Sequence, residues 1–132
     1  MTSELSYLAA TLVLALVQIL LPAFARTREF GLDWNAGPRD ATPETKSRLT
    51  GRLQRAQANL FETLPLFIGA VLIAHAADRT GALTSLGAAL YFWARVAYIP
   101  LYALGVPYIR SLVWLVSLAG LVLCLLALFI RV

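Results

Sequence analysis

Hydrophobic residues along this chain gather into four long runs. The first, LSYLAATLVLALVQILLPAFA, extends from about Leu5 to Ala25. The second begins near Arg52 and ends near Ala77, the third covers about Ala82 to Leu104, and the fourth about Pro107 to Ile130. Each approaches or exceeds the ~20 residues with which a helix crosses the hydrocarbon of a bilayer. The connections around Asp78 to Gly81 and Gly105 to Pro107 are tight, so consecutive helices are antiparallel neighbours. The first connection, RTREFGLDWNAGPRDATPETKSRLTG, is longer. Its Asn35-Ala36-Gly37-Pro38 reads as a turn, and Thr42-Pro43-Glu44 as a helix start with Thr42 as N-cap. The pattern predicts an all-α integral membrane protein, an antiparallel four-helix bundle in one domain over residues 1–132. Its helices are expected at about 5–25, 43–77, 82–104 and 107–130.

Composition supports this reading. The chain is 60% hydrophobic with a mean hydropathy of +0.75, more apolar surface than a soluble core of 132 residues could hide. Ala23-Phe24-Ala25 resembles a signal-peptide cleavage site. However, Glu4 stands where a basic leader belongs, and the apolar run exceeds the usual 7–15 residues, so the first run is expected to stay as a helix. Cys124 is the only cysteine, set in LVLCLLALF, and reads as a small apolar packing residue. No metal-ligand spacing occurs. His75, isolated near the end of the second run, reads as a boundary residue.

The net charge of +4 comes mostly from arginine. Arg26, Arg28, Arg39, Lys46, Arg48, Arg52 and Arg55 flank the first connection, and Arg110 follows the turn between the third and fourth runs. The opposite side carries only Arg79 and Arg131. The positive-inside rule then puts the first and third connections in the cytoplasm and both termini outside. Without a soluble basic module, the charge does not read as a nucleic-acid surface.

One stretch breaks the apolar pattern. In RLQRAQANLFETLP, the polar residues Arg52, Arg55, Asn59 and Glu62 run into a membrane span. With Arg48 they fall within roughly 80° of one helix face, and Thr63 borders them. In the third span Tyr91, Arg95, Tyr98 and Tyr102 share a face of roughly 60°. Counting 1.5 Å per residue puts Glu62 about 13 Å deep and Arg95 about 12 Å deep. Glu62 and Arg95 are therefore expected to form an intramembrane ion pair. Asn59 is expected near Tyr98, and Arg55 near Tyr102. A half-buried cationic pocket with one acid suits a small zwitterion of net negative charge.

Three segments carry a family resemblance. RAQANLFETLPLF resembles the second-helix signature of the membrane-associated proteins in eicosanoid and glutathione metabolism (MAPEG), Arg-Ala-x-x-Asn-x-x-Glu followed closely by Pro-Leu/Phe-Phe. ARVAYIPLY resembles that family's third-helix segment, and PYIRS the arginine-serine step that opens its fourth helix. The resemblance implies a homotrimer that binds glutathione, as co-substrate, between neighbouring subunits at the cytoplasmic side. It implies that Arg55, Asn59 and Glu62, with Tyr98 and Tyr102, contact glutathione. Arg110 would hold the thiol as thiolate. Arg52, Arg95 and either Arg26 or Arg28 are further candidates. Thr63 and Trp114 depart from a tyrosine that some members have at those positions. The WNAGPRD loop and short tails resemble a bacterial branch, hence a bacterial inner membrane.

Three functions fit these residues. One is a glutathione-dependent transferase or peroxidase acting on a small lipophilic electrophile or hydroperoxide that arrives through the membrane lipid. The second is a non-catalytic MAPEG-fold scaffold or ligand binder. The third is a small transporter with Glu62 as its proton site.

Overall fold

A computed structural model describes residues 1–33, 37–38 and 47–130. Its four long helices are α1 (Ser3–Phe30), α2 (Arg48–Ala76), α3 (Ala82–Ala103) and α4 (Ile109–Ala127). All four are long and apolar enough to span a membrane, and no strand occurs among the described residues. Three helices depart from their expected bounds by two residues or more, α4 ending at Ala127 rather than Ile130. α1 continues five residues past Ala25, carrying Arg26 and Arg28 on helix rather than loop. At 28 residues it is about 42 Å long, against a hydrocarbon thickness of about 30 Å. α2 starts at Arg48, with Ser47 as N-cap accepting from the Thr50 N–H at 3.2 Å. Thr42 and Pro43, the expected start, lie outside the described residues.

Side-chain bonds give the helix directions. Ser3 and Ser85 share a hydrogen bond at 2.8 Å, which puts the starts of α1 and α3 side by side. The Arg52 guanidinium donates to the Ala103 carbonyl at 3.3 Å, which joins the start of α2 to the end of α3. α2 and α3 each pack against every other helix, whereas α1 and α4 do not touch among the described residues. The bundle thus has a central antiparallel pair with one helix on each flank. One end, here the terminal end, holds the chain start, the α2–α3 turn and the end of α4. The other, the arginine end, holds Arg26, Arg28, Arg52, Arg55 and Arg110.

The core forms where α2 buries one face. Leu60, Leu64, Phe67 and Val71 pack with Leu8, Tyr91 and Leu121. Phe67 and Tyr91 stack with ring centroids 4.1 Å apart. α3 and α4 approach closest at two glycines. A Cβ on Gly87 would lie 2.6 Å from the Gly120 carbonyl oxygen, so any side chain there would push the helices apart. Cys124 is buried and free beside this contact, as its apolar setting predicts. Leu12, Val13, Leu16, Leu115, Val116 and Val122 stay exposed on α1 and α4, the surface a bilayer would cover.

Candidate functional site

The polar residues of α2 do not all face the same surroundings. At 100° per residue, Thr63 lies about 45° from the centre of the buried face, Arg52 about 65° and Asn59 about 85°. Arg55 and Glu62 lie about 125° and about 145° away. Burial follows this order: Thr63, Arg52 and Asn59 are half-buried, and Arg55 and Glu62 are exposed. The polar stripe therefore starts between the helices and ends on the outside of the bundle.

Arg95 is the largest fully buried side chain, at 0% exposure. Its Nη1 donates to Asn59 Oδ1 at 2.8 Å, and its guanidinium carbon sits 4.5 Å from the centre of the Tyr98 ring. Nε and Nη2 are buried without a hydrogen-bond partner. These two nitrogens form one edge of the guanidinium, the fork that takes a carboxylate through two parallel bonds. The expected Glu62–Arg95 ion pair is not formed. The two residues do occupy similar depths, but Glu62 sits at the outermost edge of its stripe while Arg95 points inward. Asn59, one turn nearer the arginine end, takes the place expected for Glu62, and its expected partner Tyr98 instead lies under the guanidinium.

A second cluster surrounds Tyr102. Arg55 Nε donates to the Tyr102 hydroxyl at 3.2 Å, the rung expected from helix depth. Arg110 lies over the same ring, its guanidinium carbon 4.6 Å from the centroid, within cation–π range. Tyr98 and Tyr102 are 5.5 Å apart, so one aromatic ladder links Arg95 to the two outer arginines. Arg52 completes the group by bonding the Ala103 carbonyl, an α3 C-terminal group that a cation suits. Gly105 makes room for it. This residue has φ +71, and a Cβ there would lie 2.7 Å from the Arg52 guanidinium carbon. Arg26 and Arg28 reach the same end on α1, Arg26 half-buried with its Nε unpartnered and Arg28 exposed.

Sequence reasoning missed several polar groups. Tyr91 is expected in the seam, but its pairing with the Thr63 hydroxyl at 2.8 Å was not foreseen. Glu4 is buried at 4% exposure, and Thr11 and Gln18 are buried on the same face of α1, with Gln18 Oε1 unpartnered. The signal was present: Glu4, Thr11 and Gln18 recur every seven residues in an otherwise apolar helix. Gly105 carried only a turn signal, which gave no hint of the guanidinium beside it.

This arrangement defines an integral, multi-pass membrane bundle with an arginine-rich polar seam that opens onto its outer surface at one end. The chain belongs to the MAPEG family, whose model matches residues 6–130, nearly its whole length. Members of that family generally use glutathione. No curated protein and no solved structure matches the chain.

Proposed function

We propose that the protein is a membrane-embedded glutathione-dependent transferase or peroxidase acting on a lipophilic electrophile or hydroperoxide. The observation that carries this reading is the seam's imbalance. Three guanidiniums gather near one tyrosine and a fourth keeps an empty fork, while Glu62, the seam's only acid, points outward. Glutathione offers the complement: two carboxylates, one ammonium and a thiol. Arg52, Arg55 and Arg95 suit the carboxylates, Asn59, Tyr98 and Tyr102 add hydrogen bonds, and Glu62 takes the ammonium.

Arg110 would stabilise the thiolate. A free thiol has a pKa of about 8.5, and lowering it by about two units corresponds to about 2.7 kcal/mol. The proton leaves to water at the bundle's end. In transfer, the thiolate sulfur forms a bond to the electrophilic carbon as the leaving group departs with its electron pair. In the peroxidase reaction, two glutathiones reduce ROOH to ROH and water and are oxidised to the disulfide.

The outward position of Glu62 also supports assembly. A carboxylate facing lipid at this depth costs about 2.5–3.5 kcal/mol or more. A neighbouring copy in a homotrimer would cover it and close the site between subunits. The arginine excess supports an arginine end in the cytoplasm and both termini outside. The bacterial inner membrane rests on the resemblance of the WNAGPRD loop to a bacterial branch.

The test is turnover of a generic electrophile, 1-chloro-2,4-dinitrobenzene, with glutathione by the parent and Arg110→Ala. Equal rates would overturn the thiolate role of Arg110. A non-catalytic ligand binder is the second reading. It is favoured by Thr63, which stands in place of a tyrosine and whose hydroxyl is engaged with Tyr91. Binding of glutathione without turnover by the parent would decide for it.

A further inference from the structure

The α3–α4 corner contains an unusual residue. Tyr108 has φ +54 and ψ −59, and the Ile109 N–H donates to the Pro107 carbonyl at 2.5 Å. This is a γ-turn of the rare, strained hand, at a residue that carries a side chain. The turn opens α4 directly. The Leu112 N–H bonds the Tyr108 carbonyl at 2.9 Å, so the Tyr108 backbone sets the direction in which the first turn of α4 leaves. Arg110 lies in that first turn, over the Tyr102 ring. Tyr102 is itself fixed from the side by Arg55. A change in the Tyr108 dihedrals would therefore swing Arg110 off a shelf that cannot follow it.

Among the described residues nothing holds the Tyr108 side chain in this conformation, and it is 83% exposed. Its exposed company is apolar: Leu104 at 75%, Ile109 and Leu112. These residues form a collar where two spans end, continuous with the exposed Leu115 and Val116 of α4. An aromatic ring with a polar tip is at home at that depth, between headgroups and hydrocarbon.

We infer that Tyr108 is a positioning residue: its ring anchors in the headgroup layer and holds the strained turn that keeps Arg110 over Tyr102. The catalytic consequence rests on the proposed function; the positioning itself does not.

The full chain in phospholipid nanodiscs, labelled at arginine Nε, provides the readout. An Arg110 Nε–H over an aromatic ring resonates upfield, and the signal is assigned by its disappearance in Arg110→Lys. Tyr108→Phe should keep the upfield signal. Tyr108→Ala and Tyr108→Ser, which remove the anchor but keep the strain, should move it to the unshielded position. Glycine suits this backbone, so Tyr108→Gly should keep the signal without the ring, and Tyr108→Ser remains informative if Tyr108→Ala does not fold. An unmoved signal in Tyr108→Ala or Tyr108→Ser overturns the inference.

In turnover, Tyr108→Ala should lower kcat roughly tenfold or more with the KM for glutathione little changed, as misplacing a catalytic group does. The two readouts separate the claims. A signal that depends on Tyr108 in a protein without turnover leaves the positioning intact and removes the enzyme reading. Turnover that needs Arg110 while the signal ignores Tyr108 does the reverse.

Discussion

The two ends of the bundle both bury polar groups, yet they treat them oppositely. At the terminal end, Glu4 accepts from the Thr84 hydroxyl at 2.9 Å, and that hydroxyl accepts from the Gly81 N–H at 2.8 Å. Ser3 meets Ser85, and Trp93 Nε1 donates to the Tyr7 hydroxyl at 3.3 Å. Glu4 also sits in the first turn of α1 and beside the first turn of α3, where two helix dipoles favour its negative charge. That end is a closed clasp in which an acid, hydroxyls and an amide use one another. At the arginine end, among the described residues, the arginines' donors outnumber the acceptors they meet. Arg95 has an empty fork, and the outer arginines rest on tyrosines and a carbonyl. Groups that are satisfied hold helices together. Groups left over among the described residues are those that the proposed glutathione would meet.

That contrast can be broken by substitution. The largest effect is expected for Arg110→Ala, which should lower turnover about 10²–10³-fold, in the range seen when a transition-state donor is lost. Thermal stability should barely move, and a matching loss of stability would place Arg110 with the structural residues. The reverse pattern is expected of Glu4→Ala. Losing the acid takes the charged acceptor from the Thr84 hydroxyl, which keeps the Gly81 carbonyl at 3.1 Å, and should destabilise the folded protein by about 1–3 kcal/mol in detergent unfolding, with glutathione affinity unchanged. An affinity loss there would mean that the two ends are coupled.

A smaller effect, about 1 kcal/mol, is expected for Gly105→Ala. Part comes from the positive φ and part from displacing Arg52, so glutathione binding should weaken alongside stability. Stability loss without weaker binding would detach Arg52 from the site. The smallest change in stability is expected for Arg95→Met. A buried cation with two of its three nitrogens unpartnered contributes little to folding, and an apolar replacement of similar length is often neutral or stabilising. Unfolding should shift little or upward, while glutathione affinity falls. A drop of several kcal/mol would show that Arg95 is a structural strut.

The sequence made the four spans legible because length and apolarity alone report a bilayer-crossing helix. Depth was legible too: counting residues along α2 and α3 matched Arg55 with Tyr102, which are bonded. Direction around the helix was not. A stripe of about 80° says that residues share a side, not where the core lies. That centre is decided by Leu60, Phe67 and Val71 packing on Tyr91, and it turned Glu62 out and Asn59 in. Glu4 was read only as an argument against a signal peptide, since its role depends on Thr84 arriving from about eighty residues away. Pro107 marked the corner before α4, but no local pattern announces a positive φ at Tyr108.

Glutathione binding is tested most directly by thermal unfolding of the protein in lipid nanodiscs across a glutathione titration, with Glu62→Gln alongside. A ligand that binds only the folded protein raises its unfolding temperature with concentration. The expected result is a saturable rise at millimolar glutathione in the parent and a much smaller rise in Glu62→Gln, which can no longer take the ammonium as a charged pair. An unfolding temperature that does not move in the parent at millimolar glutathione would contradict it.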